Sequence, residues 1–301
     1  ATRSMKMYTS TFTIDTDGKV LDLGTVNNVP MRIKTTLVDV NGEHFTEATS
    51  TVTLTDHVAY KNLDTDKTYT LTGTLYVKDG DALTEMMTET VDFQPTETSG
   101  TQDVTFTFDA SELVGKSVVA FEELSVNGEF CAEHKDKDDE NQTVTFPGIQ
   151  TTARDNVTED HVSNATDSIT IVDTVAYTGL KKGDTYTVTG TLMDAETGEA
   201  ALDDDGNAIT ASKEFTAPSA DGSIDITFTF AGVSLAGKTL VAFEQIDHDG
   251  KKYAVHADIN DKGQTVYIPK IRTKALDANT GLNQVKADSN VTVVDTVTYT
   301  H

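Results

Sequence analysis

Apolar and polar residues alternate in steps of two through most of this chain. In the first half the pattern runs through Thr51-Val52-Thr53-Leu54, Tyr69-Thr70-Leu71-Thr72-Gly73-Thr74-Leu75 and Val104-Thr105-Phe106-Thr107-Phe108. In the second it runs through Ile169-Thr170-Ile171-Val172, Tyr186-Thr187-Val188-Thr189-Gly190-Thr191-Leu192 and Ile224-Asp225-Ile226-Thr227-Phe228-Thr229-Phe230. Successive side chains of a strand point to opposite faces, so a two-residue period rich in Thr, Val, Tyr and Phe predicts half-buried strands. Turn-forming clusters separate them: Asp79-Gly80-Asp81, Thr98-Ser99-Gly100 and Asp203-Asp204-Asp205-Gly206. No long window carries the 3.6-residue period of an amphipathic helix. The predicted class is all-β, a series of tandem immunoglobulin-like β-sandwich domains in a rod.

The pattern is also written twice. Ile33-Lys34-Thr35-Thr36 opens one unit and Ile149-Gln150-Thr151-Thr152 the next, while Val119-Ala120-Phe121-Glu122 returns as Val241-Ala242-Phe243-Glu244. Glu122, His134, Asp139 and Gln142 return as Glu244, His256, Asp261 and Gln264, all displaced by 122 positions. A third opening, Ile271-Arg272-Thr273, is cut off at His301. Repetition at a fixed period sets the architecture before any propensity argument. The predicted domains are 33–148 and 149–270, with 271–301 the truncated start of a third repeat. Residues 1–32 match neither unit and read as a leader, the tail of a preceding domain, with a hairpin around Asp17-Gly18. Pro147-Gly148 and Pro269-Lys270 leave very short connections, which predicts a stiff arrangement.

Composition narrows the partners. Twenty-three basic against forty-nine acidic residues give a net charge of −26. Such a chain is repelled by nucleic acid and by anionic membrane surfaces. No apolar run approaches the ~20 residues of a membrane span. Cys131 is the single cysteine, and its counterpart is Tyr253, so a shared thiol chemistry is not expected. The acidic loops 136–140 and 203–205 lack a full EF-hand pattern and are read as solvated. No metal or cofactor is expected.

What repeats with the strands is a polar set. Thr35 opens the first unit, Gln142 sits in the closing stretch Asn141-Gln142-Thr143-Val144-Thr145-Phe146, and the first and last strands of a sandwich can lie side by side. Glu122 alternates so as to face inward, with His134 and Asp139 close by in sequence. Asp56 precedes the Tyr60 strand end, as Asp173 precedes Tyr177 and Asp295 precedes Tyr299. These are the parts of an acyl transfer: a hydroxyl nucleophile, a His base oriented by an Asp, and a carboxamide electrophile. An amide reacts poorly with a neutral hydroxyl, so the chemistry needs shifted carboxyls in a dry site. It also needs fixed proximity, where effective molarities reach ~10⁵–10⁸ M. Thr36 and Thr152 compete as nucleophiles. However, Thr273 is followed by Lys274, so only the first Thr of each pair is common to all three openings.

The Val-Ala-Phe-Glu strand followed by His-x4-Asp-x2-Gln, present twice, resembles the ester-bond domains of Gram-positive surface adhesins. The resemblance covers about 33–270 and the opening of the third unit. It implies autocatalytic Thr35–Gln142 and Thr151–Gln264 ester cross-links, with ammonia released. It implies supporting roles for Asp56, Glu122, His134 and Asp139, and for Asp173, Glu244, His256 and Asp261. It further implies a cell-wall-anchored stalk outside the cell, touching neighbouring domains of the same adhesin, with a host ligand bound elsewhere and no enzymatic turnover. His57 after Asp56, where the other units have Thr, is the one departure. A Lys–Asn isopeptide fails because Lys34 has Gln150 and Arg272 as counterparts. A ligand-binding adhesin domain and a Thr/His/Asp hydrolase remain as alternatives. The lack of an insertion to shape a substrate pocket weighs against the hydrolase.

Overall fold

In the computed structural model, residues 29–288 and 290–300 are described; the leader and its hairpin around Asp17-Gly18 lie almost wholly outside them. The first unit begins with β1 (Arg32–Lys34) and β2 (Leu37–Asp39), two halves of one opening strand. Both pair antiparallel with β3 (Val52–Lys61), on whose other side lies β6 (Ser99–Phe108). The second sheet runs β5 (Ala82–Phe93), β4 (Tyr69–Asp79), β7 (Ser117–Val126) and β8 (Glu129–His134). The short closing strand β9 (Thr143–Thr145) pairs with the first part of β7, beyond the end of β8.

The second unit repeats this. β10 (Gly148–Asp155), β11 (Ile169–Thr178) and β14 (Gly222–Phe230) form one sheet. β13 (Thr210–Thr216), β12 (Thr185–Asp194), β15 (Lys238–His248) and β16 (Lys251–His256) form the other, with β17 (Thr265–Ile268) closing on β15. β18 (Lys270–Asp277) and β19 (Val293–Thr300) are the third opening, paired Thr273 opposite Val297 just as Thr151 stands opposite Val175. Two residues separate β9 from β10 and one separates β17 from β18.

Alternation explains the cores. In β3, Val52, Leu54, Val58 and Tyr60 turn inward and meet Leu71, Leu75, Val118 and Leu124 of the facing sheet. Ile171, Val175, Ile226 and Phe228 meet Val188, Leu192, Leu240 and Ile246 in the second unit. Burying a Leu or Phe side chain contributes ~1.5–3 kcal/mol, so these stripes hold each sandwich together. Ser99-Gly100, expected in a turn, instead starts β6. Gly100 lies under the Tyr60 ring, where a Cβ would sit 2.5 Å from the phenolic oxygen. Only a residue without a side chain lets that strand pass.

The opening and closing strands lie side by side without being ladder neighbours: they belong to different sheets. The segment after β2 does the joining. Thr145 N–H donates to His44 O (2.9 Å), and Thr46 N–H donates to Thr145 O (3.1 Å). His161, Ser163 and Tyr267 repeat the bridge in the second unit. The same segment touches the next domain, where Phe45 stacks on Tyr253 with ring centroids 6.0 Å apart. Ion pairs flank the stack, Glu43–Lys251 at 2.8 Å and Glu47–Lys252 at 2.9 Å.

Candidate functional site

Two inward stripes each contain one acid. Asp56 occupies a core position of β3 and Glu122 a core position of β7, both fully buried, and Asp173 and Glu244 do the same in β11 and β15. A carboxyl among aliphatic side chains is costly unless it is neutral or hydrogen-bonded. Burial, with the neighbouring Asp56 charge, pushes Glu122 up to about 10. Burial also raises Asp56, to about 6, although Glu122, the Thr35 hydroxyl and the Thr36 amide partly offset it. Glu244 rises to about 10 and Asp173 also rises, again chiefly through burial. At neutral pH the first pair therefore holds one proton, on Glu122, and Glu244 is the protonated acid of the second. That proton lets the glutamic acid donate to one oxygen of its aspartate neighbour, which relieves part of the set of carboxyl oxygens without a partner at full hydrogen-bond geometry.

Gly73 stands opposite Glu122 in the β4–β7 ladder. A Cβ there would overlap Glu122 Oε1. In the first unit the Tyr-Thr-x-Thr-Gly-Thr-Leu strand thus contains a glycine that makes room for the acid, whereas the equivalent Gly190 makes room for the Ile226 and Phe228 side chains. The sequence reading placed this motif on a strand but missed the glycine's role.

Thr35 sits at the break between β1 and β2 and is fully buried, whereas Thr36 is only partly so and exchanges backbone hydrogen bonds with His57. The first Thr of each pair faces the site. The backbone breaks at Thr35 because its N–H leaves the sheet and donates to His134 Nδ1 at 3.2 Å. A backbone amide can only donate, so Nδ1 carries the lone pair and the neutral ring bears its proton on Nε2, 3.5 Å from Asp139 Oδ2. Burial, the largest influence, lowers the His134 pKa and keeps the ring neutral. Thr35 Oγ1 lies 3.3 Å from the same Nδ1.

Gln142 is not in the closing strand as the sequence suggested. It ends a short 3₁₀ turn, Glu140–Gln142, immediately before β9. The Asp139 side chain caps that turn by accepting the Asn141 N–H at 2.9 Å. The turn directs the carboxamide into the core, where Nε2 donates to Thr35 Oγ1 (2.8 Å), Ala120 O (2.8 Å) and His134 O (3.3 Å). Two carbonyl acceptors fix which end of the amide is nitrogen.

The second domain gathers the same residues with a different set of contacts. Gln264 Nε2 donates to Thr151 Oγ1 and to Glu244 Oε2, both at 2.5 Å, and the Thr151 hydroxyl donates to Glu244 Oε2 at 2.9 Å. His256 Nε2 meets Asp261 Oδ2 at 3.1 Å. A cleft of about 590 Å³ lined by Gln150, Thr152, Arg154, His256 and Asp261 reaches Thr151 from solvent. Gln264, Glu244 and Asp173 lie behind it. Each sandwich thus brings all six of its predicted residues together. His57 stays outside the site, on the exposed face against Asp103 at 2.6 Å, where Thr174 meets the equivalent Asp225 at 2.7 Å. The substitution therefore keeps a cross-strand pair and leaves the site unchanged. Among the described residues no cluster suited to a metal ion occurs.

A profile of the T-Q ester bond containing domain matches residues 31–146, 147–268 and 269–301. A comparison with curated proteins returns no match. Among solved structures, the chain is similar to a bacterial adhesin from Mobiluncus mulieris containing intramolecular disulfide, isopeptide and ester bond cross-links. Identity is 14%, with 90% of this chain and 93% of that chain covered and a TM-score of 0.38. A second crystal form of that adhesin gives 15% identity, 90% and 98% coverage and a TM-score of 0.38. A glycosyl hydrolase family 2 member from Bacteroides cellulosilyticus is similar at 10% identity over 76% of this chain and 30% of that chain, with a TM-score of 0.30.

Proposed function

The chain belongs to the family of T-Q ester bond containing domains, and from that premise we propose that it is a stalk segment of a bacterial cell-surface adhesin whose complete domains each close through an ester, Thr35 to Gln142 and Thr151 to Gln264. One observation carries the reading. In each domain the Thr hydroxyl meets its Gln carboxamide within a buried site, at 2.8 Å and 2.5 Å.

In closure Thr35 Oγ attacks Gln142 Cδ. The hydroxyl O–H and the amide C–N bonds break, the O–C ester bond forms, and the nitrogen leaves as ammonia. His134 takes the hydroxyl proton through the Nδ1 lone pair that faces it. Asp139 stabilises the imidazolium from the other side, as an Asp does in a Ser-His-Asp triad. The leaving nitrogen needs a proton, and a neutral Glu122 is the acid that can give it. In the second domain Glu244 Oε2 accepts from Gln264 Nε2 at 2.5 Å, which puts the acid beside the nitrogen that leaves. Asp56 keeps the glutamic acid protonated through the charge it carries beside it. Proton return from the imidazolium restores the starting forms, so the atoms balance with no cofactor and a single turnover.

The cross-link ties the opening of one sheet to the closing edge of the other. Force applied through the chain termini of a domain would then pass through a covalent bond before any ladder sheared. Neighbouring domains are the expected partners, and host recognition falls to another part of the full protein. Peptide mapping tests the reading: digestion should yield a branched peptide containing both Thr35 and Gln142, stable to thiol reductants and split by hydroxylamine. Recovery of the two peptides separately from folded protein would reject it.

A further inference from the structure

We propose that the backbone N–H of Asp136 is the oxyanion donor of the first domain's closure, with Asp258 supplying the same group in the second. The inference deepens the ester reading and rests on it. When Thr35 Oγ attacks Gln142 Cδ, the C=O electron pair moves onto Oε1. Collapse returns the pair and expels the nitrogen, which departs with its own two hydrogens and a third from the proton relay. Oε1 therefore carries the negative charge at the top of the barrier, and a preorganised donor aimed at it lowers that barrier most.

Among the described residues one donor reaches this atom in the first domain. Asp136 N–H donates to Gln142 Oε1 at 3.4 Å, a length that leaves room to tighten as charge develops. Two features aim it. The carboxamide is pinned from its nitrogen end by Ala120 O and His134 O. The loop is pinned by the Asp136 side chain, which accepts the Asp138 N–H at 3.0 Å. The second domain holds the same turn, with Asp258 Oδ1 accepting the Asn260 N–H at 2.9 Å.

A second observation points to the same group. Gln264 is fully buried, yet its Oε1 has no hydrogen-bond partner. There the amide nitrogen is drawn toward Glu244 and Thr151, leaving the oxygen unpaired. A buried carbonyl oxygen left without a donor is expensive. In the first domain the equivalent oxygen accepts the Asp136 N–H, and Asp258 is the matching residue of the second domain, at the head of the same turn. We read the two domains as the same site caught with the hydroxyl turned once toward His and once toward Glu.

Replacing Asp136 by its α-hydroxy acid, malate, through nonsense suppression converts this one N–H to oxygen and keeps the side chain. Closure is followed by mass as ammonia is lost after refolding. The first domain should close on the order of 10²-fold more slowly, the loss seen when one oxyanion donor is removed. Asp136→Ala, which keeps the N–H, should close far faster than the malate variant. The second domain of the same molecule is the internal control. If it closes while the malate-bearing domain closes at the wild-type rate, the oxyanion assignment is wrong and the ester reading stands. If neither domain of the wild-type chain ever loses ammonia, the ester reading itself fails. Should the malate variant not fold, amide exchange in Thr35→Val decides: slow exchange at Asp136 that is lost on adding Gln142→Met supports the assignment, and equal exchange in both overturns it.

Discussion

Thr35→Val removes the nucleophile and keeps the shape of the side chain, so it isolates what the cross-link contributes to the first domain. Thr35 and Gln142 are 107 positions apart. In the chain-entropy treatment used for disulfides, closing a loop of that size lowers the unfolded-state entropy by an amount worth about 4.8 kcal/mol at 25 °C. The lost hydroxyl adds little, because Gln142 Nε2 keeps Ala120 O and His134 O as acceptors. With an unfolding entropy of ~2.1 cal/mol/K per residue, a domain of this size gains roughly 0.24 kcal/mol/K, so the first-domain transition should fall by about 20 °C. Calorimetry on the two-domain chain measures this directly, with the second-domain transition staying in place as reference. A first-domain shift of only a few degrees, in protein whose wild-type form is shown to be closed, would refute the loop-closure argument.

Three further outcomes follow from the site. Thr36→Val should leave both ammonia losses intact on mass analysis, since Thr36 meets His57 through its backbone and faces away from the carboxamide. In the unclosed Thr35→Val protein, Asp56 and Glu122 hold protons that the unfolded chain releases from about pH 4 upward. Their folded pKa values are raised, so first-domain stability should decline as pH rises from that point toward about 10, and Glu122→Gln should flatten most of the decline in denaturant titrations. Gly73→Ala puts a Cβ into the space of Glu122 Oε1; it should slow closure of the first domain in refolding assays while the second closes normally.

Much of this molecule was legible from spacing alone. The two-residue alternation located the strands because each has one buried and one open face. The constant 122-residue offset picked out Glu, His, Asp and Gln because a folded site moves as a block when a domain is duplicated. Asp56 and Asp173 were more visible than they seemed: each is the single acid in an inward stripe, Val52-Leu54-Asp56-Val58-Tyr60 and Ile169-Ile171-Asp173-Val175-Tyr177. What stayed hidden depends on the third dimension. That β1 and β9 lie in different sheets follows from how β7 divides its edge between β8 and β9, which no local pattern encodes. Gln142 was placed on a strand because Thr-Val-Thr follows it, yet the Asp139 cap holds it in a turn. Gly73, read within a strand, and Gly100, read in a turn, are points of close approach to Glu122 and Tyr60, which strand and turn patterns do not reveal.

Whether two covalent bonds form without any added enzyme is decided by the intact mass of the purified chain. The mass should lie two ammonia molecules below that of the sequence, rising by one ammonia when Thr35 is replaced and restored to the full sequence mass when Thr151 is replaced as well. A folded wild-type protein whose mass equals that of its sequence would mean that neither ester forms.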